Sequence, residues 1–165
     1  MSQVGDFVLP TALPTAQATR QWGERLAKQL RAGDLIVLTG QLGAGKTTLV
    51  QGIGQGLAVR GAITSPTFIV ARAHRSTIGG PDLIHVDAYR IGSLDEIDAL
   101  DLDSSLEQAV TVVEWGEGLV EQLSMERLEI AIERARGTAT GPAGEQRTVR
   151  LRCFGERWQG LTYPI

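Results

Sequence analysis

The feature that most constrains this chain is a glycine-rich segment that directly follows a short apolar run. The run Leu35 to Thr39 reads LIVLT, which is typical of a buried parallel strand. In the next eight residues, Gly40 to Thr47, four residues separate Gly40 from Gly45, and lysine and threonine follow Gly45. A helix is predicted from Lys46 onward. The order of strand, glycine loop and helix favours an open α/β sheet.

The segment matches a phosphate-binding loop, or P-loop, in which each residue type has its own task. The glycines let backbone N–H groups turn inward around phosphates, and Lys46 supplies a point charge. The hydroxyl of Thr47 can ligate Mg²⁺, and the N-terminus of the following helix adds its dipole. The sequence therefore predicts nucleotide and Mg²⁺ binding at Gly40 to Thr48.

A phosphate site with Mg²⁺ also needs carboxylates, and two stand at the ends of apolar stretches. Asp87 follows Leu83 to Val86, and Glu114 follows Val110 to Val113. In an open α/β sheet, ligands collect outside the carboxyl ends of the strands, so both residues are candidates. Ala88 follows Asp87, so the glutamate that often stands beside the strand-end aspartate in P-loop ATPases is missing. Glu114 could take its place.

Two helices are expected around the loop. The first can be capped by Thr15, with Gly33 suited to its C-terminal turn and an apolar stripe of Trp22, Leu26 and Leu30. The second has Leu49, Ile53 and Leu57 on one face. Its glycines lower its helix propensity, so packing against the rest of the protein must hold it; they are Gly52, Gly54 and Gly56.

Two hairpins complete the predicted sheet. A strand over Phe68 to Ala73 would pair with Leu83 to Val86 across a Gly-Gly-Pro turn. Alternating apolar residues predict an antiparallel pair nearer the C-terminus, formed by Leu128, Ile130 and Ile132 and by Val149, Leu151 and Cys153. We expect one domain over residues 1–165 of the α/β class, a P-loop NTPase-like three-layer sandwich with a mixed parallel/antiparallel sheet.

Charge and composition restrict the possible partners. The net charge of −3 and pI near 5.4 argue against an intrinsically basic nucleic-acid platform, so a role on RNA would depend on partners. Cys153 is the single cysteine, which excludes an intramolecular disulfide. Met1 to Pro10 has no signal-peptide pattern and no apolar run approaches a membrane span of ~20 residues, which predicts a cytoplasmic protein without membrane contact.

Acidic residues are concentrated in one part of the chain. Residues 82–121 carry 11 acidic side chains and 1 basic side chain. The stretch Asp95 to Glu107 has leucine and isoleucine interleaved with the acids, which favours a solvated amphipathic helix face. A docking surface for a partner is the alternative interpretation.

Four motifs in order resemble the TsaE (YjeE) family, small bacterial ATPases required for threonylcarbamoyladenosine formation in tRNA. The motifs are GQLGAGKTT at Gly40 to Thr48, SPTF at Ser65 to Phe68, HVDAYR at His85 to Arg90 and VEWGE at Val113 to Glu117. The resemblance spans about Leu13 to Val149. It implies a slow Mg²⁺-dependent ATPase that is stimulated by TsaD- and TsaB-like proteins, the pair that transfers the threonylcarbamoyl group, with tRNA contacted indirectly.

The resemblance also implies roles for individual residues. ATP or ADP would be held by Gly43, Ala44, Gly45, Lys46, Thr47 and Thr48, with Thr15 approaching the nucleoside. Mg²⁺ would be held by Thr47 and Glu114, and the catalytic set would be Lys46, Asp87 and Glu114. Ser65 and Thr67 would lie on a loop that senses the nucleotide state, as switch loops do in related NTPases. Trp115 matches the family's tryptophan beside the metal-binding glutamate.

Two other functions fit the same loop. A small-molecule P-loop kinase shares it, although a kinase closing over two substrates would need a basic mobile insert and the segment after Asp87 is acidic. A binding module that holds nucleotide only as a structural element would not turn it over. GTP is disfavoured because the guanine-reading Asn-Lys-x-Asp motif cannot occur in a sequence without asparagine. His74 and His85 are interpreted as satisfied strand residues and not as zinc ligands.

Overall fold

A seven-stranded mixed sheet with two α-helices organises the part of the chain that the structure describes. The computed structural model describes residues 8–41, 43–64, 71–87, 107–114, 126–134, 146–162 and 165. The elements are β1 (Val8–Leu13), α1 (Ala16–Ala27), β2 (Leu35–Thr39), α2 (Lys46–Leu57), β3 (Ala71–His74), β4 (Asp82–Asp87), β5 (Ala109–Glu114), β6 (Arg127–Arg134), β7 (Arg147–Phe154) and a short 3₁₀ helix (Glu156–Trp158).

The sheet places the P-loop strand at its centre. The strand order is β1-β7-β6-β2-β5-β4-β3. β2 is parallel to both β5 and β6, and β4 is parallel to β5. The hairpins β3–β4 and β6–β7 are antiparallel, and β1 adds to β7 as an antiparallel edge strand. The predicted α/β class, the mixed sheet and both hairpins are confirmed.

The core lies between the two helices and one face of the sheet. Alternate positions of the strands face the helices, including Ile36, Leu38, Leu83, Val112, Leu128 and Ile130, all fully buried. The opposite positions of the central strands are also buried, among them Leu35, Val37, Val86 and Val113. Parallel strands that are covered on both faces have nearly continuous apolar sequences, because both sets of alternate side chains are buried. The burial therefore agrees with a three-layer arrangement.

Glycines at the contact between α1 and α2 explain how α2 is held in place despite its weak helix propensity. A Cβ at Gly52 of α2 would overlap the carbonyl oxygen of Arg20 on α1, and one at Gly23 would lie 2.7 Å from the carbonyl oxygen of Leu49. The two helix backbones therefore approach as closely as they do only because side chains are missing at these positions. The expectation that packing holds α2 is confirmed.

The N-terminal part of the sheet was not foreseen. β1 contains Pro10, and a proline argues against a central strand because it cannot donate to the ladder. β1 is an edge strand with an irregular register between Val8 and Thr11, a place where proline is tolerated.

The predicted cap of α1 is confirmed, since Oγ1 of Thr15 accepts a hydrogen bond from the N–H of Ala18 at 3.0 Å.

The C-terminal end of α1 corrects one prediction. Gly33 has a positive φ of 97° but belongs to the turn before β2, because α1 ends at Ala27 with Lys28 as its cap. Asp34 anchors this turn: Arg157 donates to its two carboxylate oxygens at 2.8 Å each, from Nε and Nη2. The bidentate pair ties the 3₁₀ helix to the entry of β2.

Two further observations concern the thiol of Cys153 and the length of the helices. Cys153 is half-buried against the core, and burial raises the pKa of its thiol, so the thiolate is disfavoured. Among the described residues, no helix has the length and apolar character needed to cross a bilayer.

The predicted strand over Phe68 to Ala73 is seen only in part. Phe68 to Val70 lie outside the described residues, and the strand is seen from Ala71 onward as β3.

Candidate functional site

The P-loop connects the carboxyl end of β2 to the first turn of α2. Gly43 and Gly45 have φ values of 78° and 100°, in the left-handed region that favours glycine. The space where a Cβ of Gly43 would stand is open for at least 4 Å. Backbone that is exposed and has positive φ can turn its N–H groups toward an anion. Leu42 lies outside the described residues.

Lys46 is the first residue of α2 and folds back over the loop. Its Nζ donates to the carbonyl oxygens of Gly40 at 2.6 Å and Gln41 at 3.0 Å, and the residue is 8% exposed. Burial lowers the pKa of Lys46, while the charges of Glu114 and Asp87 oppose that shift. The ammonium group is therefore held beside the loop and within electrostatic reach of both candidate acids.

Asp87 and Glu114 are brought together by the pairing of β4 with β5. The two residues are register partners at the carboxyl ends of these parallel strands, and Glu114 also pairs with Leu38 of β2, two residues before Gly40. Glu114 is 3% exposed and Asp87 is half-buried. The acids thus lie at the edge of the sheet from which the P-loop leaves, as the strand-end argument predicted.

The buried carboxylate of Glu114 has one neighbour that sequence reasoning did not identify. His85 of β4 is 1% exposed, and its Nε2 lies 3.4 Å from Oε2 of Glu114. This contact is within the distance of an ion pair but is not a hydrogen bond, and both Nε2 of His85 and Oε1 of Glu114 are buried without a hydrogen-bond partner among the described residues. The interpretation of His85 as a satisfied strand residue is wrong in this respect. His74 is satisfied at one nitrogen only: its Nδ1 lies 3.0 Å from the carbonyl oxygen of Arg60, while its Nε2 is also buried without a hydrogen-bond partner among the described residues.

Arg147, the first residue of β7, is a second feature that the sequence did not single out. Its Nε lies 2.8 Å from the carbonyl oxygen of Ala44, and its Nη2 lies 3.3 Å from that of Gly43. Both bonds are donated to the P-loop. Several arginines occur near the C-terminus, and no local pattern distinguishes this one.

A small cavity lies beside the P-loop, next to Arg147. It is lined by Ala16, Thr19, Gly45, Thr48 and Arg147. Thr15 precedes Ala16 at the N-terminus of α1, so the region where the nucleoside was expected borders this cavity. Thr47 and Thr48, in the first turn of α2, are both half-buried.

Part of the predicted site falls outside the residues that the structure describes. Ser65, Thr67 and Trp115 lie outside the described residues, as does the acidic stretch Asp95 to Glu107 except for its last residue. Within the described ranges, no group of three or more His, Cys, Asp or Glu side chains could by itself hold a metal ion. A cation at Thr47 and Glu114 would therefore need further oxygen ligands, such as those of a nucleotide phosphate.

Comparisons with known proteins agree with one another. The family described as "Threonylcarbamoyl adenosine biosynthesis protein TsaE" matches residues 13–141. A protein of Streptomyces coelicolor named "tRNA threonylcarbamoyladenosine biosynthesis protein TsaE" is 59% identical over 84% of this chain and 93% of its own length. A Bacillus subtilis protein of the same name is 34% identical over 88% of this chain and 85% of its own length. The crystal structure of Bacillus subtilis YdiB superposes with a TM-score of 0.72 at 28% identity, covering 94% of this chain and 91% of YdiB.

Proposed function

The chain belongs to the TsaE family of tRNA threonylcarbamoyladenosine biosynthesis proteins, and from this premise we propose that it is the ATP-binding, slowly ATP-hydrolysing accessory protein of that modification. The observation that carries the proposal is the position of Lys46, which lies on the P-loop and within the electric field of Asp87 and Glu114. A positive charge for phosphates and two carboxylates for a divalent cation therefore meet at one edge of the sheet.

The loop supplies the binding groups for the phosphates. Gly43 and Gly45 adopt the backbone conformation that turns N–H groups toward an anion, and the first turn of α2 contributes its positive dipole end. Lys46 is hydrogen-bonded to loop carbonyls, so its ammonium group is close to where phosphate oxygens would bind. Arg147 braces the same loop from β7.

The residues present also fit Mg²⁺. Oε1 of Glu114 is buried without a hydrogen-bond partner among the described residues, and such an oxygen calls for a ligand. Thr47 would offer its hydroxyl and Glu114 this oxygen, while Asp87 would support the coordination through water. When bound, Mg²⁺ neutralises charge on the phosphate oxygens during hydrolysis.

We expect the isolated chain to turn over slowly. Ala88 follows Asp87, so no glutamate stands beside the strand-end acid to orient the attacking water. Arg147 already donates two hydrogen bonds to loop carbonyls, which leaves less of its guanidinium for a phosphate. An arginine supplied in trans is worth roughly 10³ to 10⁵ in rate for P-loop enzymes. TsaD- and TsaB-like proteins are the partners proposed to supply or order what is missing.

Steady-state phosphate release tests the proposal. The rate is measured for this chain with ATP and Mg²⁺, then with TsaD- and TsaB-like proteins added, then with Glu114→Ala in the same mixture. We expect a slow basal rate, stimulation by the partner pair and loss of stimulation in the variant. Reconstituted threonylcarbamoylation of tRNA with and without this chain tests the biological role.

Two outcomes would contradict the proposal. Turnover at tens per second by the isolated chain is typical of a self-sufficient enzyme and would favour the kinase alternative. Nucleotide binding with no phosphate release in any mixture would favour a module that holds ATP as a structural element.

A further inference from the structure

We propose that His85 is a positioning residue for the metal ligand Glu114: its Nε2–H holds Oε2 of the carboxylate and leaves Oε1 for Mg²⁺. The inference rests on the proposed function, because it concerns the same metal. Nε2 of His85 and Oε2 of Glu114 lie 3.4 Å apart.

The register of the sheet creates this contact. His85 pairs with Val112, and Asp87 pairs with Glu114, so His85 and Glu114 are diagonal neighbours on adjacent parallel strands. Side chains two residues apart on a strand share a face, which puts His85 on the face of Asp87 and Glu114. One histidine and two carboxylates therefore share the face of the sheet on which the P-loop helix packs.

Burial makes the contact significant. His85 and Glu114 are 1% and 3% exposed, so water cannot solvate the pair freely. A buried carboxylate is costly unless a positive or donating group is beside it. Lys46 supplies a positive charge within electrostatic reach of this carboxylate, and His85 is the group that lies beside its Oε2.

The chemistry of the contact fixes the proton. An imidazole nitrogen without hydrogen carries a lone pair, and a lone pair facing a carboxylate oxygen at 3.4 Å would be repelled. A proton on Nε2 makes the same contact attractive, although the contact does not meet the geometry of a hydrogen bond, so we assign a proton to Nε2 on the side of Oε2. This is a statement about the tautomer and holds whether or not Nδ1 is also protonated.

The two oxygens of Glu114 are thereby distinguished. Oε2 faces His85, while Oε1 is buried with no hydrogen-bond partner among the described residues. Metal-binding carboxylates are commonly fixed by a second group that holds them in orientation, and loss of such a group typically costs about 10- to 100-fold in metal affinity. His85 fits this role, and Oε1 is the oxygen left for the cation.

Binding of Mn²⁺ to the complex with ADP, measured by electron paramagnetic resonance, tests the proposal without relying on turnover. His85→Asn removes the donor at Nε2, whereas the longer side chain of His85→Gln can present an amide nitrogen near that position. We expect the Kd for Mn²⁺ to rise by about 10- to 100-fold in His85→Asn and by no more than a few-fold in His85→Gln. ADP affinity without metal should stay within about two-fold in both variants.

His74→Asn is the matched control, because it removes the other buried histidine from the same hairpin at a position away from the acids. It should leave the Kd for Mn²⁺ unchanged. In a Glu114→Gln background, His85→Asn should cause little further loss of Mn²⁺ affinity, since a residue that acts through Glu114 has no effect once Glu114 is altered. An unchanged Kd in His85→Asn, or an equal loss in the Glu114→Gln background, overturns the proposal.

Long-range ¹H–¹⁵N correlation spectra of the unaltered protein give a test that needs no substitution. They should show Nε2 of His85 protonated, and an unprotonated Nε2 overturns the proposal even if the variants fail to fold. Failure of the unaltered protein to bind Mn²⁺ in the presence of ADP would instead refute the proposed function. Normal Mn²⁺ binding together with a silent His85→Asn would refute only the role of His85.

Discussion

Arg147 donates a hydrogen bond of 2.8 Å to the carbonyl oxygen of Ala44, a residue 103 positions earlier in the chain. Because a trans peptide is planar, a carbonyl held toward β7 directs the N–H of the next residue, Gly45, to the opposite side. The last strand of the sheet therefore fixes the orientation of one peptide of the P-loop.

We expect Arg147→Met, which keeps the aliphatic stem and removes the donors, to weaken ADP binding by about ten-fold or more, the effect of losing a hydrogen bond from a charged donor. Isothermal titration calorimetry measures this loss. Arg150→Met on the same strand is the control, because Arg150 is exposed and should be neutral. Equal ADP affinities for the two variants would show that the hydrogen bonds from Arg147 to the P-loop do not contribute to binding.

Lys46→Ala should abolish tight ATP binding. The loop would lose the one positive side chain that the P-loop itself supplies, and the carbonyl oxygens of Gly40 and Gln41 would lose their shared donor. Lys28→Ala is a matched control, since Lys28 is the other lysine of the chain and is exposed at the end of α1. Calorimetry that finds unchanged ATP affinity in Lys46→Ala would disprove the site assignment.

Nucleotide binding should be linked to proton uptake at alkaline pH. Burial lowers the pKa of Lys46, and phosphate anions beside the ammonium group would raise this pKa. Affinity should therefore fall as pH rises through the pKa of the free state. Calorimetry in two buffers of different ionisation enthalpy measures the uptake, and identical binding enthalpies in both buffers would contradict the prediction.

Thr47→Ala and Glu114→Ala should each weaken Mg²⁺-dependent hydrolysis more than metal-free nucleotide binding, because both residues are assigned to the metal. Asp87→Asn should act in the same direction and more mildly, since a residue that works through water only orients the coordination. Phosphate release and ADP titrations with and without Mg²⁺ separate the two effects. Equal losses in both conditions would assign the residues to the nucleotide and not to the metal.

Gly52→Ala should destabilise the fold although alanine is the better helix former. Propensity favours alanine by up to about 1 kcal/mol, but the added methyl group would overlap the carbonyl oxygen of Arg20, and overpacking of this kind costs about 1–3 kcal/mol. Urea unfolding measures the net change. Gly160→Ala is the control, because nothing lies within 4 Å of its added Cβ. A Gly52→Ala protein as stable as this control would mean that α1 and α2 can separate without loss.

The local part of the site could be predicted from the sequence. The strand Leu35–Thr39 and the helix start at Lys46 lie where the pattern put them. A continuous apolar run and a glycine loop act through neighbouring residues, so their signal is complete within about twenty positions. Asp87 and Glu114 were also found, because the end of an apolar run marks the end of a strand.

The contacts of Arg147 and His85 could not be predicted in the same way. The β5 strand is buried at every position, so it lacks the alternation that would reveal which side chains face the helices. A shift of one residue in the pairing of β4 with β5 would move His85 to the other face, and the sequence does not specify that register.

Sequence by itself determined the chemistry of the loop, the strand and helix that flank it, and the two acids that end neighbouring strands. Only the tertiary structure decided that His85 stands against Glu114 and that Arg147 braces Ala44. The physical reason is range: propensity and periodicity act between residues close in the chain, whereas these contacts depend on strand order and register, which are set by packing of the whole sheet.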